Sequence, residues 1–280
     1  MKMGRIIFCL AATCFFAAVT LGFFFRLTEP AKRANQTAME HRLVQKLLEL
    51  DANAKVVEVR RYLGSGEDPF IGYLLSNALQ IYNTAGELKQ SIPIPAALAQ
   101  SSGEEQDQWV AKEFTGSQKV GRFFVAWTDK QELAGYVTEG TKEGFKSLIR
   151  FFVALTPDFQ IRGVEVVSHE EDPGLGAEIA KSFFKNQFAG RSYEQSQTMS
   201  VTKDSMPTAR QSVVLARDDI PFLPWLSSHA NLITEGNEPI YAVTGATISS
   251  RALTDGVKKA VAHLKHRLEI VMPQKEGRHE

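Results

Sequence analysis

The chain has 280 residues, 44% hydrophobic and 23% charged, with 32 Lys and Arg against 32 Asp and Glu. This composition excludes a disordered chain and fits one large or two small folded domains. Zero net charge, with no basic stripe carrying interleaved aromatics, leaves no expectation of a nucleic-acid partner.

Residues 6–25 form an uncharged apolar run about as long as a helix needs to cross a bilayer. Lys2 and Arg5 precede the run, and Arg26, Lys32 and Arg33 follow it. It is longer than the apolar core of a cleaved signal peptide, and it ends in Phe23-Phe24-Phe25-Arg26 rather than in small residues. It therefore reads as an uncleaved anchor over residues 1–28. Cys14 follows Ala11-Ala12-Thr13, which lacks the leucine of a lipoprotein signal. Basic residues at both ends leave the orientation open on charge alone. Cys9 and Cys14 both lie inside this run, so the remainder of the chain has no disulfide, thiolate metal site or cysteine nucleophile.

Residues 34–50 predict a helix from the spacing of Met39, Leu43, Leu47 and Leu50. Residues 55–61 and 72–82 predict strands near turns at 64–66 and 84–86. Residues 91–107, rich in Pro, Ala, Gln, Ser and Glu, predict a loop or insertion. A hairpin is expected from 123–127 and 133–138 around Asp129-Lys130-Gln131. A second strand pair, 145–155 and 161–167, crosses Thr156-Pro157-Asp158. Residues 177–188 predict a helix with Ile179, Phe183, Phe184 and Phe188 on one broad face, and 195–210 an irregular polar stretch. A final amphipathic helix over 249–267 carries Leu253, Val257, Val261 and Leu264. Strand pairs with peripheral helices give an α+β class, antiparallel strands behind one transmembrane helix. The expected division is the anchor at 1–28, a linker helix and first part of the soluble domain with an insertion at 29–134, a core at 135–268, and a polar tail at 269–280.

Two strings carry candidate chemistry. The first, His169-Glu170-Glu171-Asp172-Pro173-Gly174-Leu175-Gly176, lies between a strand and a helix. Pro173, Gly174 and Gly176 make a rigid loop that a ligand can approach closely. Leu175 either plugs the core or packs on a flat ligand face. Four oxygen or nitrogen groups stand together here, but neighbours on an extended segment point to opposite faces, and no metal site is expected. No histidine is placed for a catalytic triad. The second string is Thr244-Gly245-Ala246-Thr247-Ile248-Ser249-Ser250, directly before the last helix. Small residues admit a ligand to the backbone. Hydroxyls at a helix start serve as caps, and the same end attracts phosphate. The string reads either as a plain cap or as the seat of a phosphorylated cofactor.

Together the strings resemble the flavin-binding G subunit of the Rnf electron transport complex, most clearly over residues 135–264. That family's loop pattern His-x-Glu-Thr-Pro-Gly-Leu-Gly matches His169 to Gly176, with Asp172 in place of Thr. Its pattern Ser/Thr-Gly-Ala-Thr matches Thr244 to Thr247. The resemblance implies an FMN-binding domain with FMN joined through its phosphate to Thr247. Thr244, Gly245, Ala246 and Ser249 would surround the phosphate, and Pro173, Gly174, Leu175 and Gly176 the isoalloxazine ring. It implies an electron-transfer subunit rather than a freestanding catalyst, with no catalytic acid or base of its own. The expected setting is the outer face of a bacterial cytoplasmic membrane, within an ion-translocating ferredoxin:NAD oxidoreductase complex. The implied partners are the other membrane subunits, a flavin transferase and the bilayer. The C subunit of the sodium-pumping NADH:quinone oxidoreductase shares both motifs and is one alternative; an anchored, non-enzymatic FMN-binding module is another. A flavin reductase is disfavoured for want of a Gly-rich dinucleotide turn. Tyr241 stands where family members carry aspartate, with Glu238 the nearest acid. Asp172 near a ring that turns negative on reduction would lower the flavin potential.

Overall fold

The computed structural model describes residues 2–51, 53–65, 69–99, 101–234 and 238–272. The chain forms two units, residues 1–44 and 45–280. The first is helical, within α1 (Lys2–Leu47). Phe15, Phe16, Phe23, Phe24 and Phe25 are each more than half exposed on it. Among the described residues this is the one helix long and apolar enough to cross a membrane. The helix expected over 34–50 is the continuation of the same element, ending at Leu47.

The second unit is α+β. Its main sheet has eight strands in the order β4-β3-β2-β1-β5-β6-β7-β8, every neighbouring pair antiparallel. The strands are β1 (Lys55–Leu63), β2 (Ile71–Leu74), β3 (Ala78–Tyr82), β4 (Leu88–Pro93), β5 (Gln118–Trp127), β6 (Leu133–Glu143), β7 (Leu148–Leu155) and β8 (Ile161–Ser168). The stretch expected as one strand over 72–82 is two strands, because Leu75 N–H closes a turn onto Ala78 through Ser76 and Asn77. The expected loop at 91–107 is ordered as the end of β4, α2 (Ala96–Ala99) and the start of α3 (Gly103–Glu113). Ser102 caps α3 at Glu105 N–H, and Glu104 and Glu105 suit the positive end of the helix dipole. The strands within residues 55–127 thus belong to the same sheet as the later strands. Gly66, in the expected turn at 64–66, and positions 273–280 of the expected tail lie outside the described residues.

Alternation along the strands gives the sheet two apolar faces. One carries Tyr62, Leu74, Leu79 and Ile81 and is met by Val110 of α3. The other carries Val59, Tyr73, Phe123, Phe151 and Val153 and packs under α8 (Thr247–Val271) through Leu253, Val257, Val261 and Leu264. The final helix is therefore where its apolar spacing placed it, longer at both ends. Residues 176–188 form 3-10 turns around the short helix α4 (Ser182–Lys185) rather than one helix, yet Ile179, Phe184 and Phe188 are fully buried as expected. Beyond them lie α5 (Tyr193–Thr198), β9 (Val201–Thr202), α6 (Thr208–Ala216), α7 (Phe222–Thr234) and β10 (Ile240–Tyr241); β9 and β10 pair in parallel. The 195–210 stretch is thus only partly irregular.

The two edges of the sheet differ. Strand β4 is largely exposed, carries Lys89 and ends on Pro93. At β8, Ile161 exchanges backbone hydrogen bonds with Gly190 and Arg191, which close that end of the strand.

Close contact between α8 and the sheet depends on glycine. The buried Phe151 ring lies between Gly140 of β6 and Gly256 of α8, where an added Cβ would stand 2.5 and 2.7 Å from ring carbons. Alanine in a helix interior normally gains about 1 kcal/mol over glycine. Overpacking of about 1–3 kcal/mol should outweigh that gain here. Gly256→Ala is therefore expected to lower the thermal unfolding midpoint; a raised midpoint would refute this packing.

Candidate functional site

Helix α8 begins at Thr247 without a side-chain cap: Ala246 sits at the cap position with φ −127° and ψ 41°. The expectation that a hydroxyl of the string caps this helix is corrected. Among the described residues neither Thr244 nor Thr247 makes a side-chain hydrogen bond. Ser250 turns inward, accepting from Val243 N–H at 3.0 Å and donating to Ala246 carbonyl at 2.9 Å. The tight turn that presents the string is closed by Ala246 N–H on Val243 carbonyl at 2.9 Å. Gly245 occupies its left-handed position, φ +77°, which glycine adopts without steric cost. Thr244 and Gly245 are exposed, Thr247 half-buried and Ala246 buried. The first N–H groups of a long helix thus have no side-chain cap and lie beside a threonine hydroxyl that makes no hydrogen bond, an arrangement that favours an anion.

The fold brings the two strings together. A Cβ on Gly245 would stand 2.9 Å from Leu175 Cδ2, so Leu175 lies directly on the turn before α8. Leu175 is 47% exposed; it is a surface shelf and not a core plug. Gly174 beside it has φ +75° and open space above, where a Cβ would meet no atom within 4 Å. Pro173 is exposed and Gly176 buried. Ile248 (56% exposed) and Phe145 (66% exposed) add apolar surface on the neighbouring segments.

Glu171 fixes this arrangement. Its side chain is buried and accepts N–H donors from Phe145 at 3.2 Å, Lys146 at 3.0 Å and Ser147 at 3.0 Å. The Ser249 hydroxyl also donates to it. Ser249, expected beside the phosphate, is therefore turned inward and serves as a strut between helix and loop. Gly144 and Gly176 leave the space the carboxylate fills: a Cβ at either would stand 2.5 or 2.7 Å from its oxygens. Burial pushes the Glu171 pKa up. The Ser249 hydroxyl and the N–H groups of Lys146, Ser147 and Phe145 outweigh burial and hold it below the usual glutamate value.

The other members of the acidic cluster diverge from it. Asp172 pairs with Lys146 Nζ at 2.8 Å, which sets a cation against the charge expected to face the ring. That hydrogen bond raises the Lys146 pKa. Glu170 N–H donates to Ser147 Oγ, and His169 Nδ1 accepts from Glu171 N–H. Among the described residues no three His, Cys, Asp or Glu groups lie close enough to hold a metal ion. Sequence reasoning weighed Glu171 as a metal ligand and as a member of the loop pattern, and placed residues 145–147 in the strand that in fact begins at Leu148; the Gly144 N–H closes a turn on the Ser147 carbonyl instead. The available signal was Gly144, a small residue among the charged Lys142, Glu143 and Lys146.

Tyr241 is held by its backbone, donating to Gln187 Oε1 at 2.8 Å and accepting from Gln187 Nε2 at 3.1 Å. Glu238, the nearest acid, is committed to Arg210 at 3.2 Å. The Arg191 guanidinium donates to Glu238 carbonyl, and burial together with Arg210 pushes its pKa down to about 10.

An uncapped helix start, an unbonded threonine hydroxyl and an apolar shelf thus come together in the second unit. Residues 144–262 match the family model described as FMN-binding domain, and the match opens on the turn that Glu171 holds. The chain is similar to the G subunit of the proton-translocating ferredoxin:NAD(+) oxidoreductase complex of Clostridium ljungdahlii, 32% identical over 45% of this chain and 51% of that protein. It is also similar to the G subunit of the Na(+)-translocating ferredoxin:NAD(+) oxidoreductase complex of Acetobacterium woodii, 27% identical over 46% and 49%. A third relative is the G subunit of the ion-translocating oxidoreductase complex of Methanosarcina acetivorans, 25% identical over 66% and 77%. The chain spans about half the length of the first two relatives. The crystal structure of Shewanella oneidensis NqrC overlaps 83% of this chain and 99% of that one, with a TM-score of 0.48 and 15% identity. The resemblance to Rnf G subunits carried by the two strings is thus what the comparisons return.

A carboxylate held low stabilises the fold above its unfolded pKa, and that stabilisation is lost as pH falls through the folded value. Glu171→Gln should cost about 2–3 kcal/mol at neutral pH. It should also flatten the acid limb of the unfolding midpoint below about pH 5. An acid limb identical to that of the unsubstituted protein would remove Glu171 from this role.

Proposed function

We propose that this protein is a membrane-anchored electron carrier holding FMN through a phosphodiester to Thr247, as the flavin-bearing subunit of an Rnf-type ion-translocating ferredoxin:NAD oxidoreductase. The reading rests above all on the uncapped start of α8 beside the unbonded Thr247 hydroxyl. A phosphodiester there keeps one negative charge, which the helix N–H groups can receive. Thr244, Gly245 and Ala246 would carry the approach of the phosphate and ribityl chain, and Pro173, Gly174, Leu175 and Gly176 the ring. Leu175 supplies an apolar contact already set against Gly245. When bound, FMN supplies the redox chemistry; the chain supplies position, an electrostatic setting and an apolar wall. The Asp172–Lys146 pair limits how far a negative charge near the ring would lower its potential.

The N-terminal run would anchor the protein in the cytoplasmic membrane with the flavin domain outside. Its partners would be the other subunits of the complex and the flavin transferase that loads Thr247. A second reading, reversible FMN binding without covalent attachment, draws on Tyr241. The aspartate of the related pattern is missing there, and Glu238 is engaged elsewhere.

Mass spectrometry of the protein produced with its flavin transferase separates these readings. An FMN adduct on the Thr247 peptide is expected, absent from Thr247→Ala and kept in Thr247→Ser and Thr244→Ala. FMN that dissociates on denaturation without any adduct would support the second reading. Tyr241→Asp is expected to speed modification at equal enzyme, measured as adduct against time.

A further inference from the structure

One ion pair joins two of the pieces of chain that Glu171 brings together. Lys146 Nζ stands 2.8 Å from Asp172 Oδ1. Both side chains are open to solvent, 57% and 43% exposed, while both backbones are held. Lys146 N–H donates to Glu171 at 3.0 Å. The Asp172 carbonyl accepts from Leu175 N–H and from Ala177 N–H, both at 3.1 Å. The first of these bonds closes a turn over residues 172–175, so the Cα atoms of Asp172 and Leu175 lie within about 7 Å. The ammonium therefore stands at the foot of the loop that sets Leu175 against Gly245. Glu171 also takes the Ser249 hydroxyl, so the same carboxylate ties Lys146 to the first turn of α8.

The other charges of the loop are placed differently. Glu171 is buried and filled by donors. Glu170 is exposed, with its N–H on Ser147 Oγ. Lys181, the next cation after the loop, stands 2.8 Å from Glu178. Lys146 is thus the cation set against Asp172, the acid that takes the place of threonine in the related loop pattern. Two electrons and one proton taken up by a flavin leave it one negative charge richer. A cation nearby favours that charge, and an anion opposes it.

We propose that Lys146 and Asp172 set the flavin potential with opposite sign, the Lys146 ammonium favouring the reduced ring and the Asp172 carboxylate opposing it. This rests on the loop at 173–176 being the ring seat proposed above, and it names the residue whose charge favours electron uptake. The backbone bond to Glu171 keeps Lys146 at the loop whichever residue stands at 172. Each charge should change the ratio of reduced to oxidised flavin about tenfold, which is about 30 mV for two electrons.

Spectroelectrochemical titration of the full-length, FMN-loaded protein in neutral detergent at low salt tests the pair. Lys146→Gln should lower the two-electron midpoint potential by about 30 mV, and Asp172→Asn should raise it by a similar amount. The double variant Lys146→Gln, Asp172→Asn should return close to the unsubstituted value, and Lys146→Arg should keep it. Both single shifts should shrink in about 1 M sodium chloride, where the screening length is about 3 Å. None of these substitutions removes a backbone donor to Glu171, so FMN content and the thermal unfolding midpoint should stay level across the set. Shifts of the same sign in the two single variants overturn the proposal, as do shifts that salt leaves unchanged. Protein that takes up no FMN overturns the ring seat and this proposal with it. FMN held by every variant at one common potential overturns this proposal alone.

Discussion

The candidate site depends on one buried carboxylate. Glu171 ties three separate pieces of chain to a single point: the turn at 145–147, its own loop, and the first turn of α8 through Ser249. A carboxylate out of contact with water is costly unless its lone pairs are filled, and here they are filled mainly by backbone N–H groups. Backbone donors cannot rotate away, so the position of Glu171 sets the position of everything it touches. Leu175 follows four residues later and comes to rest on Gly245. The shelf, the turn and the open helix end are thus consequences of the same anchor.

The electrostatics of the site divide between charge that is matched and charge that is free. Glu171 is matched by donors, and Asp172 is matched by Lys146. Near Tyr241, Glu238 is matched by Arg210. The start of α8 remains as uncommitted positive potential beside the loop, because no side chain of the string satisfies its N–H groups. A helix end left open in this way is common where a ligand completes it.

Much of this was legible in the chain itself. Apolar periodicity placed the long final helix, and turn residues placed the hairpins, because both signals are local. The two strings were linked only through the resemblance; the structure sets Leu175 against Gly245, and nothing in their spacing brings position 175 to position 245. The role of Glu171 was hidden because its partners are main-chain groups, which leave no mark in side-chain identity. Ser249 looked like a ligand group for the related reason that a hydroxyl reads the same whether it faces in or out. The stretch at 91–107 misled because Pro, Ala, Gln and Ser dominate it, while the elements that order it, Ser102 at a helix start and Val110 on the sheet, lie at its end or beyond it.

The unequal edges of the sheet bear on how this protein tolerates its own kind. An open strand edge is a template on which a second chain can extend the sheet. At β8 the backbone of Gly190 and Arg191 already occupies one end of that template. At β4 the template is short, charged at Lys89, and interrupted at Pro93, which offers no N–H. Copies held at high density in two dimensions would meet edge to edge far more often than copies in free solution. Each edge of the sheet thus carries a feature that works against its extension by a second copy.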